Sequence, residues 1–353
     1  MARLWVFNPW NDLALGSDST YYTPPPLVEA LARSGQTLPM WIADAEDYVL
    51  VDGDGRKWWE QNSGKYNIAR PWNGEPIEGC VPWGWSKAIR ENLRVAGVEP
   101  ALLPPDSALE NIRRLSHRHL TIKAHEFLET GKTPVEAKNE EECIAALQRW
   151  GKVIGKYPWS STGRGLFSGT PEYKESFLRR CRGAIAHQGS VMIEPAYEVV
   201  TDFAMLFRYK EGRFNFYGYS LFHNEKRAYV ANLLLPDEEI SLRLENFIEK
   251  SRLNLTARKM ETFLTQEVGD AGIEWIGVDM MIYRNGDSYY ELNPCVEINL
   301  RMTMGVLSHI ILSHHLPSGF HGNLGIQNTF NNAAPFLTLN PNDSPFRFVV
   351  TQS

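Results

Sequence analysis

The stretch Trp275-Ile-Gly-Val-Asp-Met-Met-Ile-Tyr283, then Arg284-Asn-Gly-Asp287, then Ser288-Tyr-Tyr-Glu-Leu-Asn293, reads as two strands around a turn. β-Branched and aromatic residues recur in both arms, and Asn285-Gly286 is a strong short-range hairpin signal. Register decides what such a hairpin can do, because a slip of one residue sends every side chain to the other face. A two-residue Asn-Gly turn opposes Asp279 to Leu292. A three-residue loop with Gly286 as its bulge pairs Tyr283 with Asp287, and therefore Asp279 with Glu291. The bulged register is the expectation. It gathers Asp279, Glu291 and Asn293 on one face and leaves Val278, Met280, Ile282 and Leu292 on the buried one. Three oxygen donors in that setting suit a hard cation such as Mg²⁺ alongside substrate phosphates.

Upstream, 152–157 reads as a strand that carries Lys156 near its end and enters Pro158-Trp-Ser-Ser-Thr-Gly-Arg-Gly165. Three hydroxyls and two glycines beyond a strand suit an anion, since backbone N–H groups can close on it where no Cβ obstructs them. Neither G-x-x-x-x-G-K-[ST] nor a G-x-G-x-x-G after the first strand occurs, which argues against a P-loop NTPase and a dinucleotide fold. A strand at Ser190–Ile193 leads into Glu194.

Further outward, residues 1 to about 105 mix short β-like runs (4–7, 39–43, 48–51) with helical patterns such as Ser86–Ala96, and read as a small α/β domain. Pro104-Pro105 breaks the chain. Beyond it Ser116 could cap a helix carrying Leu120, Ala124, Phe127 and Leu128. Asn139 with Glu142 three residues on is capping-box-like and opens another helix. Thr170-Pro171 starts a third, amphipathic helices are expected around 238–251 and 256–268, and a further helix near 304–316. Two short β-like runs, 336–339 and 346–350, close an Asn-rich tail.

With 36 Lys+Arg against 42 Asp+Glu the net charge is −6, so no global positive field draws the chain to nucleic acid or anionic lipid. No window approaches a membrane span. Cys80, Cys143, Cys181 and Cys295 lie far apart without a C-x-x-C pair, giving neither a zinc knuckle nor a disulfide framework, and a cytoplasmic setting fits.

The order of parts resembles the ATP-grasp superfamily from about Pro105 to Met304, on Gly155-Lys-Tyr-Pro-Trp-Ser-Ser-Thr-Gly-Arg-Gly165, Val191-Met-Ile-Glu-Pro-Ala-Tyr197 and Tyr290-Glu-Leu-Asn-Pro294. The resemblance implies an α/β (α+β) chain: a small Rossmann-like domain over 1–105, then two α+β lobes, 106–194 and 195–353, that grip a nucleotide. It implies ATP and Mg²⁺, two ions or Mn²⁺ in their place, with Asp279, Glu291 and Asn293 as ligands. Lys156 resembles the family's phosphate-contacting lysine. Ser160, Ser161, Thr162, Gly163 and Gly165 fall in the flap over the phosphates. Glu194, Ala196 and Tyr197 fall at the adenine hinge, with Asp202 at the ribose. Arg118 stands where an earlier phosphate-binding lysine is usual, with Lys123 as competitor. Arg301 falls where a cation faces the acyl phosphate or acceptor carboxylate; Glu297 and Asn299 alternate with it and would share its pocket. The implied activity joins a small-molecule carboxylate to an amine-type acceptor through an acyl phosphate. A kinase on the same scaffold and a non-catalytic nucleotide-binding module stay open, as does an oligomer. Asn8, Asn11, Asp12, Arg70 and Trp72 are candidates for the acceptor pocket. Cys295, without an adjacent base, reads as structural.

Overall fold

The computed structural model describes residues 2–160, 165–225, 228–286, 289–327 and 335–353, arranged around three sheets. The first is parallel, with strand order Arg70–Pro71, Tyr48–Val49, Arg3–Val6, Gly79–Pro82. Its crossovers include the helices Pro26–Ser34 and Gly53–Asn62, and the helix Lys87–Val95 follows the last strand. Ser86 caps that helix, its hydroxyl accepting from the Ile89 N–H, and the Asp52 carboxylate caps Gly53–Asn62. The expected strand at 39–43 is instead a buried 3-10 turn, Leu38–Trp41, with Pro39 in its first turn. Proline's fixed φ and missing N–H suit that position better than a ladder.

The second sheet is antiparallel throughout, in the order Val135–Ala137, Val191–Pro195, Val153–Lys156, Leu166–Gly169. The helices Glu140–Trp150 and Lys174–Gln188 pack on it over a core that includes Leu147, Phe167, Phe177 and Ile193. The Asn139 side chain accepts from the Glu142 N–H at 2.9 Å, as the capping pattern requires. Two glycines are dictated by the aromatics beneath them: a Cβ at Gly155 would lie 2.5 Å from the Phe167 ring, and one at Gly169 2.5 Å from that of Phe177.

The third sheet has eight strands, in the order Tyr289–Asn299, Trp275–Asn285, Glu198–Lys210, Arg213–Glu225, Ala228–Leu234, Gly322–Gln327, Arg347–Gln352, Leu337–Thr338. Its strand Glu198–Lys210 is buried on both faces along 203–207. Phe203, Met205 and Phe207 point into one core with Leu253, Met260 and Phe263 of the helix Lys250–Glu267. Ala204 and Leu206 point into another, shared with Val306 and Ile311 of the helix Met304–His315 and with Trp5, Phe7 and Trp41 of the N-terminal unit. A strand sandwiched this way shows a continuous apolar run rather than alternation. The helices Asp106–Leu115 and His119–Phe127 contribute Ile112, Leu115, Leu120 and Ala124 to the large sheet's core, not to that of the second sheet. No helix among the described residues is long and apolar enough to cross a membrane.

Candidate active site

A cavity of about 610 Å³ opens between the second and third sheets. From the second sheet it takes Ile154 and Lys156, while Val153, on the opposite face of the same strand, packs in the core. Register places Glu194 beside Ile154. The Lys156 ammonium lies 2.6 Å from the Glu194 carboxylate, both side chains 7% exposed, and also donates to the Val296 carbonyl at 3.3 Å. Pro195, Ala196 and Tyr197 continue the wall into the third sheet. The Ala196 N–H is already given to the Lys152 carbonyl, so this hinge offers its carbonyl rather than its donor. The Tyr197 ring lies 4.2 Å from that of Tyr283, and burial with that neighbour pushes its phenol pKa up. Asp202 lines the cavity floor.

The hairpin supplies the acidic end, in a register that corrects the sequence expectation. Tyr283 pairs with Glu291 and Asn285 with Tyr289, so the tip lies two residues further along than a Gly286 bulge loop would place it. Between Asp279 and Met281 the ladder then slips, and Asp279 faces Glu297 instead of Glu291. The slip falls at Pro294-Cys295-Val296: proline cannot donate to the ladder, and the Asn293 side chain instead accepts from the Cys295 N–H at 3.2 Å. Asp279 and Glu291 keep the same face but sit four strand residues apart, about 13 Å, which is too far for one ion whose ligands lie within about 2.6 Å. Glu291 and Asn293 line a separate cavity of about 230 Å³. There Glu291 accepts from the Tyr283 hydroxyl and from Lys132 at 2.9 Å, contacts that hold its pKa down at about 2.

Asp279, Glu297 and Asn299 take the place in the main cavity that Asp279, Glu291 and Asn293 were expected to fill. The Asn299 amide donates to Asp279 at 3.2 Å. Burial, then the Glu297 charge, pushes the Asp279 pKa up to about 7. Burial alone would raise Glu297 too, but Arg118, Lys156 and Arg301 hold it below its ordinary value. Two neighbouring carboxylates are thus driven apart in acidity. Among the described residues no three His, Cys, Asp or Glu converge as a metal cluster. Two carboxylates and an amide form a sparse, all-oxygen set, which fits an ion that completes its shell with phosphate and water. The sequence signal for it is the alternation Glu297, Asn299, Arg301.

Arg118 does not line the main cavity. It backs Glu297 at 2.5 Å and donates to the Ser160 hydroxyl at 2.9 Å and to the Tyr157 carbonyl. Lys123 points elsewhere, to Glu267 at 2.7 Å. Gly165 has φ +83°, a conformation that favours glycine. Ser161, Thr162 and Gly163 lie outside the described residues. Arg301 lines the main cavity and also a neighbouring one of about 340 Å³ at the N-terminal unit. Asp12 reaches Arg301. Asn8 bonds to Gly84, Arg70 to Tyr48 and Trp72 to Glu75. Cys295 is fully buried and its thiol pKa is pushed up by burial, as a structural cysteine's would be.

No protein-family model matches the chain. No curated protein matches it in sequence. Solved structures do share its fold. Against N5-carboxyaminoimidazole synthetase from Staphylococcus aureus the TM-score is 0.53 at 10% identity, covering 100% of this chain and 93% of that one. Against biotin carboxylase from Campylobacter jejuni it is 0.54 at 10% identity, covering 99% and 87%. Against carboxyaminoimidazole ribonucleotide synthase from Aspergillus clavatus it is 0.50 at 12%, covering 100% and 94%. At such identities the likeness is one of fold, and the fold is the ATP-grasp fold that the sequence resemblance implied.

Proposed function

We propose that this chain is an ATP- and Mg²⁺-dependent ligase that activates a substrate carboxylate as an acyl phosphate for attack by an amine or another nucleophile. The observation that carries the reading is one cavity, between two sheets, lined by Lys156 and the Glu194–Tyr197 hinge and by Asp279, Glu297, Asn299 and Arg301. The structures of similar fold include one complexed with ADP and one with an ATP analogue.

In this reading the base lies against the hinge and Asp202 holds the ribose. Lys156 trades part of its pairing with Glu194 for the phosphates. Asp279, Glu297 and Asn299 are the residues that would hold Mg²⁺, which when bound supplies charge neutralisation to the transferring phosphoryl group. Arg118 keeps Glu297 ionised and oriented. Arg301 faces the carboxylate being activated and steadies the charge that develops on the phosphoryl oxygens. No protein nucleophile is needed, which fits the buried Cys295.

Thermal unfolding with ADP, with and without Mg²⁺, tests the nucleotide site: at a hundred times its dissociation constant a ligand adds about 2.7 kcal/mol. The expected result is a Mg²⁺-dependent shift that Lys156→Ala loses. Phosphate release with pools of carboxylates and amines then tests the chemistry. A stable phosphorylated product formed without a nucleophile would replace the ligase by a kinase, and the absence of any nucleotide shift in folded protein would remove both.

A further inference from the structure

Arg301 does not stand alone in the cavity. Asp12, in the first turn of the helix Asn11–Ser17, meets its guanidinium edge on: Nε lies 2.9 and 3.1 Å from the two carboxylate oxygens and one terminal nitrogen 2.7 Å from Oδ2. Both side chains are 15% exposed. The same terminal nitrogen donates to the Asn299 side-chain oxygen at 3.1 Å, and the other to the Met302 carbonyl at 3.1 Å. Of the five N–H donors of a guanidinium, four are therefore engaged among the described residues. The plane of the group is fixed, and much of its charge is met by a carboxylate from the N-terminal unit.

The turn that carries Asp12 is built to aim it. The fully buried Asn8 donates to the Gly84 carbonyl at 2.8 Å and accepts from the Gly84 N–H at 3.3 Å. Gly84 packs so closely on Asn11 that a Cβ there would lie 2.4 Å from the Asn11 amide. Asn8 and Asn11 thus both pack on Gly84, Asn8 through two hydrogen bonds, and the Asp12 carboxylate projects from the same turn to Arg301 just beyond the hairpin.

We propose that Asp12 is a positioning residue of the active site, which fixes the Arg301 guanidinium and sets how much of its positive charge a bound anion meets. The proposal rests on the reading of Arg301 as an anion-contacting residue. A bidentate Arg–carboxylate pair has both geometric specificity and strength, and removing one charge of such a pair exposes the other. A bond that merely tied the two units together would weaken ligand binding when broken. A counter-ion that masks Arg301 does the opposite.

Calorimetric titration with Mg²⁺-pyrophosphate and with Mg²⁺-ADP separates these cases. Asp12→Asn is expected to bind pyrophosphate about tenfold more tightly than wild type, a gain at the low end of the coupling between close charges. The gain should vanish when Arg301→Ala is added. Asp12→Glu, which keeps the charge, should restore wild-type affinity, and it carries the comparison with Arg301→Ala if Asp12→Asn does not fold: an affinity for pyrophosphate as low as that of Arg301→Ala would overturn the proposal. Unchanged or weaker binding by folded Asp12→Asn would also overturn it. If wild type bound neither probe, the nucleotide reading itself would fail.

Discussion

Glu291-Leu-Asn293 and Glu297-Ile-Asn299 are the same three-residue pattern, six residues apart on one strand, and they end in different chemistry. The first lies toward the hairpin tip, where Tyr283, Lys132 and Asn285 clamp the carboxylate and hold it ionised. The second lies in the cavity, where Asp279 faces Glu297 and Arg118 backs it. What separates them is the irregular stretch Pro294–Val296, which moves the ladder along its partner. A sequence motif with the right composition is therefore not a ligand set until the bulges between its members are known.

The largest effect that could break this comparison is on turnover. Glu297→Gln is expected to reduce Mg²⁺-dependent ATP turnover by more than about 100-fold, beyond the range for residues that only orient a ligand, while Glu291→Gln leaves it near wild type. Steady-state phosphate release on both variants decides, and the reverse ranking would return the metal set to the tip.

The lysines at the two places should differ in what they do for stability. Lys156→Met leaves Glu194 buried and unpaired and is expected to cost about 3 kcal/mol, typical of breaking a buried pair. Lys132→Met breaks the pair with Glu291, whose side chains are 41% and 34% exposed, and should cost less than about 1 kcal/mol. Urea unfolding measures both, and equal losses would contradict the contrast in burial.

The two sites also bend the pH–stability curve in opposite directions. Asp279 has its folded pKa raised from 3.8 to about 7, so the folded state holds the extra proton and stability falls as pH rises between those values. Asp279→Asn should flatten that slope. Glu291 has its folded pKa lowered from 4.5 to about 2, so its contribution is complete above pH 4.5 and is lost as pH falls toward 2. Smallest of all, Tyr283→Phe removes one hydroxyl donor while keeping the ring beside Tyr197. The Glu291 pKa should move up toward 4.5 in a carboxyl NMR titration while ADP affinity is unchanged.

Much of this architecture can be read locally. Asn139 caps a helix where its spacing says it should, whereas Ser116 ends the helix Asp106–Leu115 instead of opening the next; Lys156 ends a strand, and the run 275–283 forms one arm of a hairpin. What the sequence hides depends on pairs far apart in the chain. The strand Glu198–Lys210 is buried on two faces, so its alternation into two cores is invisible without the helices that cover each face. The ladder slip at Pro294 changes which glutamate faces Asp279, although proline itself was in plain view. Asp12 and Arg301 are separated by 289 positions, and only the packing of the N-terminal unit on the large sheet brings them together.

The most direct test is a crystal of the protein soaked with ADP and Mn²⁺, with the ion located by its anomalous scattering. The expected result is density between Asp279, Glu297 and Asn299, with Lys156 turned to the phosphates. Density at Glu291 and Asn293, or nucleotide bound away from the Glu194–Tyr197 hinge, would contradict the account.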